Sequence, residues 1–108
     1  MALPTAKEAM DYMGLDFQDD AMVQANVARA LRTATQLFYG AVGDDIEQYM
    51  PGDPRTKELI LIYTDDLYTD RGVSAKVSNA TRRLVADMEM QLRFELRLAR
   101  EAAGGGSV

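Results

Sequence analysis

Residues 53–72 read DPRTKELILIYTDDLYTDRG, and the way this stretch folds decides the architecture around it. Asp53 stands where a helix wants its N-cap, and Pro54 takes the first helical position, whose N–H has no intrahelical partner in any case. Gly72, after Arg71, supplies a stop signal. Between them Leu59, Ile60, Leu61, Ile62, Tyr63, Leu67 and Tyr68 spread apolar side chains round most of the circumference, and only the side of Asp65, Asp66 and Thr69 is polar. A helix apolar nearly all round is normally buried. The run Leu59 to Tyr63 would suit an inner strand, but it sits within about 18 residues without a turn signal, too long for a typical strand. The reading is a central helix with the others packed against it.

Upstream, residues 4–14 (PTAKEAMDYMG) predict a short first helix. Thr5 and Glu8 form a capping box, Gly14 offers the left-handed residue that ends the helix, and Met10 and Met13 face the same way as Ala6 and Ala9. Residues 15–18 are a connector, after which Asp19 or Asp20 starts a second helix running to about Tyr39 and stopping at Gly40. Its stripe of Val23, Val27, Ala30, Leu31, Ala34, Leu37 and Phe38 spans roughly 120°, ordinary for a helix with one buried side. The small Ala30 and Ala34 permit close approach to the central helix. Residues 40–53 are a loop pinned by Ile46, Tyr49 and Met50 as a partial helical turn.

Downstream, residues 73–77 form a linker, and Ser78 or Asn79 caps a long last helix reaching about Ala103. The sequence thus predicts an all-α bundle of about four helices, a single domain over residues 1–103, and a flexible Gly-rich tail over 104–108. The expected core is Val27, Leu31, Leu37, Phe38, Leu59, Ile60, Ile62, Tyr63, Leu67, Leu84, Met88 and Leu92. Ile62→Asp is expected to destroy it by burying an unpaired charge.

The last helix carries two apolar faces. Leu84, Val85, Met88, Leu92, Leu96 and Ala99 make the stripe expected to face the core, while Met90, Phe94 and Leu98 lie on another side. Arg82, Arg93, Arg97 and Arg100 separate the two on one flank, Gln91 and Glu95 on the other. Scattered surface hydrophobes are common, but a chain this small has too little body to cover both faces. The second face, Met90, Phe94 and Leu98 with Arg93, Arg97 and Arg100, is therefore read as a contact surface for a neighbouring chain. The arginine row is mainly a solvated flank, with Glu89 and Arg93 at i,i+4 spacing. As a contact surface it would meet the acidic first half of a neighbouring copy, a heterologous contact of the kind that closes rings.

Composition narrows the chemistry. The chain has neither Cys nor His, which removes disulfides, thiolate and imidazole metal sites, haem ligation and the His- or Cys-based catalytic schemes. No apolar run approaches the ~20 residues of a membrane span, and no signal-peptide pattern opens the chain. A soluble protein made in the cytoplasm is expected, with no membrane association. The net charge of −5 is unevenly spread, with −6 in residues 1–53 and +1 in residues 54–108. An acidic chain is poorly suited to grip phosphates.

No motif supplies an active site. Asp65 and Asp66 diverge by 100° on a helix, and only Asp66 and Asp70 are spaced to share a ligand; these acids more naturally pair with Arg71 or an arginine of the last helix. Asp16, Asp19 and Asp20 lack calcium-loop spacing, and residues 40–43 lack the G-K-[S/T] of a phosphate loop. The tyrosines are not interleaved with basic residues as base-stacking surfaces are. Neither enzymatic activity nor a cofactor nor a metal is expected.

Taken in order, three segments resemble the small head–tail connector (adaptor) proteins of long-tailed bacteriophages. They are residues 3–40, with a short helix, the step from Leu15 to Asp19-Asp20 and an Ala-rich second helix; residues 54–72, an apolar helix closing on Tyr68 and Arg71; and residues 77–97, VSNATRRLVADMEMQLRFELR. The resemblance implies an all-α subunit of a closed ring, commonly of about a dozen copies, in the virion neck. Its partners would be other copies of itself, the portal protein and the stopper or tail-completion protein, with DNA passing through the lumen without specific binding. The second face of the last helix would then supply a contact to another subunit or to the portal. The family brings no catalytic residues. The mid-helix Asp-Asp pair and the Arg-rich last helix depart from its commonest pattern. Two other readings compete: a nucleic-acid-binding packaging protein similar to a terminase small subunit, and a cytosolic helical module that binds a partner protein.

Overall fold

The computed structural model describes residues 3–69 and 79–104. They form five helices, α1 (Ala6–Met13), α2 (Ala21–Ala41), α3 (Ile46–Tyr49), α4 (Pro54–Thr69) and α5 (Asn79–Gly104), with no strand among the described residues. The fold is all-α, and α3 is the partial turn expected within the loop. The stop at Gly72, the linker over 73–77, the Ser78 cap and residues 105–108 of the tail lie outside the described residues. Gly104 itself continues α5.

Local chemistry explains the helix starts. Thr5 Oγ1 accepts from Glu8 N at 3.1 Å while Glu8 Oε1 accepts from Thr5 N at 3.0 Å, completing the capping box. Gly14 closes α1 at φ 68°, a conformation other residues adopt only at a cost. Asp20 takes the Met22 and Val23 amides at the start of α2. Asp53 Oδ1 takes the Arg55 amide at the start of α4, at 2.9 Å.

The second helix does not stop at Gly40. It runs through to Ala41 with Val42 as its cap, because Phe38 and Val42 are both buried and tertiary packing outweighs the ~1 kcal/mol penalty of a helical glycine. The chain turns at Gly43 instead (φ 144°), where a Cβ would stand 2.7 Å from both Leu96 Cδ2 and Arg100 Nη2. A side chain here would have to displace the ends of both of those side chains, in a backbone conformation that L residues rarely adopt.

Helix α4 is central: it lies against α1, α2 and α5, with its most extensive contact along α2. One buried cluster joins Ala34, Phe38, Val42, Ile46, Leu59, Ile60, Leu92 and Leu96. A second joins Ala9, Met10, Val27 and Leu61, with Ala6 and Met13 packed on it. Helices α4 and α5 run antiparallel, Arg55 meeting Glu95 and Tyr63 meeting Glu89.

Of the expected core, Val27, Phe38, Leu59, Ile60 and Leu92 are fully buried, and Leu31, Tyr63 and Met88 are half-buried against the first cluster. Leu37, Leu67 and Leu84 are not core: they are 52 %, 38 % and 55 % exposed. Leu37 lies at the edge of its stripe, about 80° from the Val27–Ala34–Phe38 line at 100° per residue. Leu67 and Leu84 sit level with each other in the α4–α5 register, beyond the last buried layer. Ile62 is also not core, being part-exposed and in neither cluster. It lies four residues from both Glu58 and Asp66, and so within the polar strip of α4.

Two threonines are buried instead. Thr64 satisfies its hydroxyl by donating to Ile60 O at 2.7 Å, whereas Thr56 Oγ1 is buried without a hydrogen-bond partner.

Candidate functional site: the outer face of the last helix

Among the described residues, helix α5 packs through one side. Leu92 and Leu96 are fully buried, with Val85 and Met88 half-buried beside them. On the other side Met90, Phe94 and Leu98 are 60 %, 52 % and 46 % exposed. A helix of this pattern satisfies its own core with one stripe and leaves a second stripe in water.

The arginines flanking that strip divide by partner. Arg100 Nε donates to Asp45 Oδ2 at 2.6 Å, tying α5 to the loop before α3. This bond holds the Asp45 carboxyl below the ordinary carboxylate range and raises Arg100 further. Arg93 and Arg97 form no ion pair among the described residues, and the Arg97 guanidinium lies 5.5 Å from the Phe94 ring centroid, within cation–π range. The expected Glu89–Arg93 pair does not form. Glu89 accepts a hydrogen bond from the Tyr63 hydroxyl, and burial, then this bond, push the Tyr63 pKa up. Val42, Met90, Arg93, Phe94, Arg97 and Arg100 together line an open depression of about 370 Å³.

Other polar contacts build the scaffold beneath this face. Arg55 reaches Asp53 at 2.7 Å and Glu95 at 2.6 Å, clamping the start of α4 to the middle of α5. Both carboxyls are held low by that guanidinium. Lys57 reaches Glu8 at 2.8 Å, joining α4 to α1. None of these long-range pairs was visible in the sequence, because the partners lie 40 to 55 positions apart or on different helices. Val42 as a wall of the depression was missed for the same reason.

Asp65 is raised by burial, Asp65 and Asp66 both have partners of their own, and Asp70 lies outside the described residues. No group of three metal-ligating side chains occurs among the described residues, and none of the described helices is long and apolar enough to cross a membrane. What the described outer face of α5 offers is apolar area rimmed by guanidinium groups. No protein-family model, no curated protein and no solved structure matches the chain.

Proposed function

We propose that this chain is a structural subunit of a phage head–tail connector ring, sitting in the virion neck, docking on the portal and presenting an attachment surface to the stopper or tail-completion protein. The observation that carries the reading is the strip of Met90, Phe94 and Leu98, large apolar side chains left in water on a helix whose opposite side already fills the core. Exposed aromatic and aliphatic residues flanked by Arg are the composition of a protein contact. The excess of acidic residues supports a channel lining that does not hold DNA, since phosphates meet few cations.

Native mass spectrometry with and without a portal protein tests the reading. A closed ring of copies, formed alone or on the portal, is the expected result; a chain that stays monomeric in both conditions overturns it. The exposed Arg82, Arg83, Arg93 and Arg97 of α5 give a DNA-packaging role some support, and that role would announce itself as tight, strongly salt-dependent DNA binding.

A further inference from the structure

Two features at opposite ends of α2 are complementary in charge: one carries exposed apolar side chains among acids, the other is an open apolar depression rimmed by arginines. The first is the connector between α1 and α2, whose backbone is held by side chains. Gln18 Nε2 donates to Asp11 Oδ1 at 3.0 Å and to Leu15 O at 3.1 Å. Lys7 Nζ donates to Gln18 Oε1 at 2.9 Å, and Gln24 Nε2 to Gln18 O at 2.8 Å. On this braced loop Phe17 is 75 % exposed and Met22 73 %, the two most exposed large hydrophobic side chains described. Asp16, Asp19 and Asp20, all exposed, lie beside them in the sequence. A pre-ordered loop loses little further conformational freedom when it docks.

The second feature is the depression walled by Val42, Met90 and Phe94 and rimmed by Arg93 and Arg97, two guanidinium groups with no ion pair among the described residues. Phe17 precedes the start of α2 and Val42 caps its end, so about 30 Å of helix separates them at ~1.5 Å per residue. No copy can fill its own depression with its own Phe17.

We propose that the occupant is a second copy of this chain, bound head to tail. Phe17 of one copy enters the Val42–Met90–Phe94 depression of the next, and Asp16 and Asp19 face Arg93 and Arg97. The ring Phe17 brings meets the Phe94 ring, a pairing favourable beyond area alone. Such a contact is heterologous: each copy offers one knob and one hollow, and repetition closes a ring if the rotation allows. A single loop covers less than the ~800 Å² per partner of a standard interface, so each contact is weak alone and closure reinforces it. The inference rests on the ring reading in requiring copies to contact one another, and it names the surfaces.

Because the chain contains no cysteine, introduced thiols report the contact directly. Under mild oxidation at high protein concentration, the Phe17→Cys/Phe94→Cys double variant is expected to give a ladder of linked copies. Either single variant alone should give no linked species, and a mixture of the two should give dimers and nothing larger. Dimers from Phe94→Cys alone would mean two hollows facing each other and would overturn the proposal, as would a double variant that forms no ladder. Charge reversal provides a second test without thiols. Arg93→Glu/Arg97→Glu is expected to abolish self-association, and adding Asp16→Arg/Asp19→Arg to it is expected to restore it. Rings indifferent to these reversals overturn this contact and leave the ring reading standing. A ladder from a chain that imaging fails to locate in particle necks keeps the contact and removes that reading.

Discussion

The two sides of α5 carry the same kinds of residue and do opposite things. Leu92 and Leu96 have no exposed area, while Phe94 and Leu98, two residues further along in each case, stand about half in water. The step of 200° that separates them decides whether a large apolar side chain stabilises the monomer or is available to a neighbour. Hydrophobicity alone therefore says little about burial; the direction in which the helix presents it says more.

The largest effects should come from attacking the inner side. Leu96→Asp places an unpaired charge in the core and is expected to unfold the chain, and Leu92→Ala should cost about 2–5 kcal/mol. Phe94→Asp and Leu98→Asp should leave the thermal melt, followed by circular dichroism, almost unmoved and impair assembly. If the outer variants unfold the monomer as the inner ones do, the contrast is void. Helix α4 repeats the comparison in one pair: Ile60→Asp should abolish the fold, and Ile62→Asp, on the polar strip, should be tolerated.

A smaller effect is expected at Gly43. Alanine there would press on Leu96 from the loop side in a backbone conformation that L residues rarely adopt, costing about 1–3 kcal/mol by denaturant unfolding. An unchanged midpoint would show that the inner side has slack.

Acid should weaken the polar clamps that hold the inner side in place. Asp45 and Asp53 are lowered from an ordinary 3.8, and Glu8 and Glu95 from 4.5. Their contribution is thus complete above those ordinary values and is lost as pH falls through the lowered ones. Tyr63 has the opposite sign. Raised above 10.0, it contributes fully below that pH and loses its share in stronger alkali. With no histidine in the chain, urea midpoints should be nearly level from about pH 5.5 to 7. A loss of stability on acidification inside that range would contradict the assignment of these pairs, whereas Asp65, raised by burial, loses its share as pH rises. The smallest effect belongs to Thr56→Val, which removes a buried hydroxyl without a partner and should be neutral or stabilising by less than about 1 kcal/mol.

Much of the fold was legible because its signals are local. The Thr5–Glu8 box, the Asp20 and Asp53 caps and Gly14 each act within four residues, and each is found where its chemistry requires. Local signals fail where burial within the packed core decides the outcome. Gly40 was read as a terminator although Phe38 and Val42 hold the helix through it. Leu67 and Leu84 fit apolar stripes but lie past the end of the packed layer. The exposed strip of Met90, Phe94 and Leu98 was legible as a second stripe; the depression beside it was not, since Val42 reaches it through tertiary contact.

By itself the sequence determined that this protein is helical, where most of its described helices begin, and that α5 has more apolar surface than one core needs. These follow from spacing and capping, which depend on residues a turn apart. Only the tertiary structure decided that Arg100 belongs to Asp45 and Arg55 to Glu95, that Arg93 and Arg97 have no ion-pair partner among the described residues, and that Phe17 stands in water at the far end of α2. Pairing and exposure depend on distances in space, and a string of residue types does not contain them.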